Sequence, residues 1–233
     1  MYREIIYNKY QLGSNFLFEG LSEDEKVLLE SRKINHEYKK GQVIFRAGMT
    51  PNGIYLLNSG KVKKYTIGDD GKPHIFYICS SGEALGYHSL LSEEPYPDYA
   101  ETLEDSSLSF IPKDVFLSLL DQSKQLNQKL LKSLSHEFTV FIHSTTVFAQ
   151  KTVRERLALA LLMLKEKYTN KDSKEKPVEI SILREDLANI VGTAIETLVR
   201  LLRDFKEEQI IETKGRTIRI LHPAKLVKIA NFY

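Results

Sequence analysis

Ile195, Glu196, Val199 and Arg200 follow the i, i+1, i+4, i+5 spacing that puts four side chains on one side of a helix. That side carries a carboxylate, a planar guanidinium and two apolar groups, a set that can enter the major groove of a nucleic acid duplex. Leu198, Leu201 and Leu202, with Ile190 upstream, supply the apolar faces that pack a two-helix unit at a steep angle. Gly192 can take a left-handed turn conformation, and Ala188 is small where the helices would cross. Leu183 to Phe205 therefore reads as helix, turn, helix. Two other uses of the same side chains compete. Thr193-x-x-Glu196 also fits a capping box, which would spend the carboxylate on the helix start. Arg200 lies four residues after Glu196 and can pair with it.

Directly downstream, Ile210 to Ile220 alternates about Lys214-Gly215-Arg216, the pattern of a hairpin wing whose Lys214 and Arg216 can touch phosphate. Charge is distributed to match. The net +2 of the chain divides into 17 Lys and Arg against 12 Asp and Glu in residues 151–233, and 16 against 19 in the remainder. A basic C-terminal third suits a polyanion, although many domains carry as much charge without binding one.

The elements that must position this head come earlier. From Gly41 to Ile111, short runs rich in β-branched and aromatic residues (Val43–Phe45, Ile54–Leu57, Val62–Ile67, Ile75–Cys79 and Leu108–Ile111) alternate with Gly-, Asn- and Asp-rich turns. Such spacing predicts an antiparallel barrel or jelly roll. Ser22 with Glu25 forms a capping box ahead of it. After Pro112 no Gly or Pro occurs until Pro177, and Leu126, Leu130, Leu134, Phe138, Phe141, Thr145 and Phe148 recur in steps of three or four. A stripe this long predicts a seam with a second copy of the chain, with packing on its own barrel as the alternative. Residues 151–168 read as a further helix, and Tyr168 to Pro177 as a solvated Lys-rich connector. The fold class is α+β. The expected domains are a sensor barrel over 1–120, a dimerisation helix over 121–149 and a winged helix-turn-helix over 150–233.

With these pieces in this order, the chain resembles the cyclic-AMP receptor protein and FNR (CRP/FNR) family of bacterial regulators from about Leu12 to Leu226. The barrel phrases Gly41-Gln42-Val43-Ile44-Phe45-Arg46-Ala47-Gly48, Ile54 to Tyr65 and Gly82-Glu83-Ala84-Leu85-Gly86 carry the resemblance beside the helix-turn-helix. It implies that Glu196, Thr197 and Arg200 stand in the register that reads DNA. Arg can donate twice to guanine O6 and N7 while Glu accepts from cytosine N4. Thr197 and Arg184 would then hold phosphate, and Ile195 and Val199 would meet thymine methyls. Ile195 departs from the Arg frequent there, and Leu183 from the usual Ser or Thr cap.

The resemblance also implies a cyclic-nucleotide-binding-like barrel, but the residues that hold the nucleotide are missing. Tyr87 follows Gly86 where an acid is needed, Asp98-Tyr99 stands in place of Arg-Ser, and Phe141 and Ile142 replace hydroxyl-bearing residues. A carboxylate repels phosphate, so an unidentified effector other than cyclic AMP is expected. The candidate effector pocket comprises Leu85, Tyr87, His88, Tyr99 and Phe141; side chains filling the barrel are the alternative. Cys79, the single cysteine, cannot support an iron–sulfur cluster or a disulfide. His74 and His88 could be proposed as haem ligands but read better as ordinary histidines, so no cofactor is expected. Asp98, His88 and Glu83 lack a nucleophile motif or metal spacing, so no enzyme activity is expected.

The function that follows is a cytoplasmic homodimer binding palindromic double-stranded DNA, with RNA polymerase as a further partner and no membrane. A small-molecule-binding module without operator recognition is the alternative.

Overall fold

A computed structural model describes residues 2–12, 14–169 and 178–231; most of the Lys-rich connector lies outside them. The chain forms two compact units, Leu12–Phe138 and Met1–Gln11 with Thr139–Tyr233.

In the first unit, helix α2 (Glu23–Arg32) starts on the expected box, with the Ser22 side chain accepting from the Glu25 N–H and Glu25 accepting from the Ser22 N–H. Eight strands follow, β1 (Ile34–Tyr38), β2 (Val43–Phe45), β3 (Gly53–Ser59), β4 (Lys61–Ile67), β5 (Pro73–Ser80), β6 (Ala84–Leu85), β7 (Tyr99–Thr102) and β8 (Ser106–Pro112). They make two four-stranded antiparallel sheets, ordered β1-β8-β3-β6 and β2-β7-β4-β5. Inner-face residues Phe45, Leu57, Val62, Leu85, Ala100 and Leu108 fill the space between them. Every strand expected from the sequence is present. Strand β1 escaped notice because its Ile-Asn-His-Glu-Tyr has no alternation; it is a largely exposed edge strand held by its ladder to β8. A short helix α3 (Tyr87–Ser92) sits between β6 and β7, and α4 (Lys113–Gln122) covers the sheet through Val115, Phe116 and Leu119.

Helix α5 (Lys124–Gln150) runs from this unit into the second. Its predicted seam needs correction. Leu126 and Leu130 are only 1% and 5% exposed, buried in this chain's own core with Leu134 packed against it. They are not available to a second copy. The exposed apolar residues of α5 are Leu131, Phe138, Phe141, Ile142 and Phe148, with Phe138 68% exposed, and Thr145 is exposed beside them. The reason is angular. Each step of four overshoots a helical turn by about 40°, so the run from Leu126 to Phe138 winds about 120° around the helix. The stripe therefore drifts from the core side at Leu126 to the exposed Phe138.

In the second unit, α1 (Tyr2–Tyr10) packs on α6 (Val153–Tyr168) through the fully buried Ile6, with Arg3 3.3 Å from Glu166. The sequence predicts a sensor domain over 1–120, whereas the first eleven residues belong to the second unit. Helix α6 opens on a second capping box, Thr152 with Glu155, and buries Leu157 to Leu162. Strand β9 (Glu179–Ser181), helices α7 (Arg184–Val191) and α8 (Ile195–Glu207), strands β10 (Ile211–Lys214) and β11 (Thr217–Ile220), and α9 (Pro223–Ala230) complete the unit. The sheet order is β10-β11-β9.

Candidate DNA-binding site

Helix α7 ends at Gly192, whose φ of +66° is the left-handed conformation that closes a helix, with its N–H donating to the Ala188 carbonyl. The Thr193 N–H donates to the same carbonyl at 3.1 Å, fixing the tight turn before α8. Leu198, Leu202 and Phe205 bury one side of α8 against the unit, where Leu187, Ala188 and Val191 are buried too. The opposite side is free: Ile195 and Val199 are 41% and 44% exposed, and Glu196 and Arg200 are exposed with them.

Neither competing use of these side chains occurs. The α8 N-cap is Ala194, with no side-chain cap, so the Thr193/Glu196 box is not formed. Among the described residues no ion pair joins Glu196 to Arg200. The carboxylate and guanidinium are therefore both presented outward. Thr197 is half-buried at the same end, where the first-turn N–H groups lack intrahelical acceptors and form a natural anion seat. Arg203 is an exposed residue that the sequence reading missed. It lies three residues after Arg200 and seven after Glu196, so extending the same spacing by one turn would have found it.

The wing is a two-residue hairpin in which Lys214 pairs with Thr217 and Gly215, at φ +56°, occupies the first loop position. Lys214 and Arg216 project from its tip and are exposed. Arg184, expected on phosphate, is turned toward the wing instead. Its guanidinium donates to the Gly215 carbonyl at 2.9 Å and to that of Arg216 at 3.4 Å. Burial lowers its pKa, yet a guanidinium stays charged.

In the barrel, the five candidate effector residues do not share one lining. Leu85 belongs to the core between the sheets, Tyr87 to the core under α4, and Tyr99 stacks on Tyr65 at 5.1 Å. Phe141 lies in the other unit and is exposed. Tyr87 and His88 stand edge to face with ring centres 6.0 Å apart. What occupies the barrel interior is a set of charges the sequence did not reveal. Lys64 and Asp98, 6% and 1% exposed, form an ion pair of 3.1 Å, and the Lys64 ammonium lies 5.4 Å from the Phe76 ring centre. Burial raises the Asp98 carboxyl pKa despite the pull of Lys64. The Tyr87 hydroxyl donates to Glu137, whose own pKa burial raises. Glu83 accepts from Tyr77 and Ser80, both at 2.8 Å.

Burial, then repulsion from Lys64, lowers the His88 pKa to about 3. His88 is neutral in the fold, whereas the unfolded chain takes up a proton below about pH 6.5. Its contribution to stability is therefore present above that pH and lost as pH falls toward about 3. Asp98 and Glu137, with raised pKa values, act in the opposite direction. Urea midpoints of the wild type and His88→Leu from pH 7.5 to 4.5 should diverge, with the wild type falling more steeply; parallel curves would contradict the assignment.

Two family profiles match in chain order, the cyclic nucleotide-binding domain over residues 35–123 and the Crp-like helix-turn-helix domain over residues 155–229. The fumarate and nitrate reduction regulatory protein of Vibrio cholerae is 29% identical over 192 residues, 82% of this chain and 76% of that protein. The transcriptional activator protein Anr of Pseudomonas protegens is 28% identical, covering 89% and 85%. The fold is that of FixK2 from Bradyrhizobium japonicum, with a TM-score of 0.74 at 20% identity, covering 86% and 98% of the two chains. The barrel, the exposed outer face of α8 with its wing, and the two profiles in sequence lead to one assignment: the chain belongs to the CRP/FNR family of DNA-binding transcription regulators.

Proposed function

We propose that two copies of the chain pair along the exposed apolar residues of α5 and place their α8 helices in successive major grooves of a palindromic site, about 34–36 Å apart. The observation that carries this reading is the outward face of α8, where Glu196 and Arg200 are exposed and committed to no cap or mutual ion pair. Arg200 reads guanine, Glu196 accepts from cytosine, and Ile195 and Val199 meet thymine methyls. Thr197, Lys214 and Arg216 contact phosphate, while Arg184 orients the wing that carries the last two. RNA polymerase is the partner at the promoter, in keeping with the relative named a transcriptional activator, and the site of action is the cytoplasm.

The barrel answers to an effector other than a cyclic nucleotide. The buried Asp98 carboxylate, held by Lys64 in the interior, opposes an incoming phosphate. Enrichment of duplexes from a random pool, with and without cell metabolites, tests both statements. A palindrome should emerge, and an extract fraction that changes its yield would contain the effector. Failure to enrich any duplex would overturn the reading.

The dimer has its own test. Phe138→Glu puts a charge on a residue 68% exposed, where it has little to disturb in one chain. Sedimentation should show dimers in the wild type and monomers in the variant, with little change in melting temperature. A dimeric variant would place the seam elsewhere.

A further inference from the structure

The first turn of α6 grips the helix-turn-helix at two places. Arg154 donates to both Glu208 carboxylate oxygens, at 2.6 and 2.7 Å, just beyond the end of α8, with its guanidinium 4.7 Å from the Phe205 ring centre. Arg156 does something different at the turn. Its Nε donates to the Val191 carbonyl at 2.8 Å, Nη2 to that of Gly192 at 3.1 Å and Nη1 to that of Lys151 at 2.9 Å. The last carbonyls of α7, which have no acceptor role within the helix, are thus tied to the segment that leaves α5. A cation also suits the negative end of a helix.

Phe148 completes the arrangement. Its ring centre is 5.5 Å from the Arg156 guanidinium, and its Cε1 is 2.9 Å from where a Cβ on residue 192 would lie. A glycine is therefore required at 192 for close approach as well as for its φ. One guanidinium joins the end of α5, the start of α6 and the turn before the reading helix. A lysine ammonium can keep the charge but not the planar fork that reaches three carbonyls.

We infer that Arg156, resting on Phe148, is a positioning residue that fixes the helix-turn-helix turn to the end of α5, so that affinity for every duplex depends on it while choice among duplexes does not. Arg156 itself points at backbone carbonyls and not at DNA. This inference rests on α8 being the reading helix, and enrichment by the wild type checks that reading separately.

The test is Arg156→Lys in the full chain, measured for binding to the enriched duplex and to random duplexes at several salt concentrations, with hydrogen exchange read along the chain. Affinity should fall about tenfold or more, by one factor for all duplexes, through loss of charge-assisted hydrogen bonds. The salt slope and enrichment profile should stay as in the wild type, and faster exchange should be confined to about residues 188–194, where the Gly192 and Thr193 N–H groups bond to Ala188. Unchanged affinity would overturn the inference. So would a salt slope reduced by about one, the mark of a phosphate contact. Faster exchange throughout the unit would reduce Arg156 to general support of the fold and overturn it as well.

Discussion

Asp98→Ala is expected to lower the unfolding free energy of the barrel by about 3–5 kcal/mol, because it leaves the Lys64 ammonium buried without its counter-charge. Lys64 is 6% exposed, and after the substitution the Phe76 ring at 5.4 Å is a poor replacement for a carboxylate at 3.1 Å. Urea unfolding followed by circular dichroism measures the loss. The double substitution Lys64→Met with Asp98→Leu should recover most of it, since an apolar pair of similar volume carries no desolvation cost. A cost below about 1 kcal/mol for Asp98→Ala would mean that the ammonium finds water or another partner, and the closed, charge-paired interior would have to be abandoned. The same pair bears on function, because a barrel that already balances a buried cation with its own carboxylate has no unpaired positive charge there to offer a phosphate.

Arg200→Ala should produce the largest change in DNA selection. A bidentate arginine contact is worth about 1–3 kcal/mol of discrimination against the wrong base pair. A dimer on a palindrome uses the contact twice, and separated base contacts add, so discrimination across both half-sites should fall by about 2–6 kcal/mol. Enrichment profiles of wild type and variant, compared position by position, would show the preference relaxed at one symmetric pair of positions. Lys214→Ala and Arg216→Ala should weaken all duplexes about equally and reduce the salt slope by about one each. An Arg200→Ala profile identical to the wild type would remove Arg200 from the base-reading set.

Where local chemistry decides, the sequence was sufficient. Ser22 with Glu25 formed its box, and the turn at Gly192 and the loop at Gly215 took the positive φ that glycine permits. The outward face of α8 could be written down residue by residue, because helical spacing alone sorts its side chains into two sides. Arg203 was missed only by stopping that spacing one turn early.

Partners distant in sequence were another matter. Thr193 and Glu196 satisfy the capping pattern, yet the helix begins at Ile195 and leaves the box unmade. Arg184 lies on the helix-turn-helix as expected, but a wing about thirty residues later takes its guanidinium. Leu126 and Phe138 share one stripe on paper and face opposite fates in the fold, one in the core and one in the open.

The sequence by itself determined the α+β class, the order of barrel, long helix and winged helix-turn-helix, and the side chains on the outward face of α8, since all of these follow from periodicity and turn chemistry within short windows. Tertiary structure alone decided that Lys64 meets Asp98 inside the barrel, that α5 divides its apolar residues between two sides, and that Arg156 ties the turn to the helix before it. These depend on which backbones and side chains are brought together across dozens of residues, and on how far each step along a helix rotates the next side chain, neither of which a local pattern records.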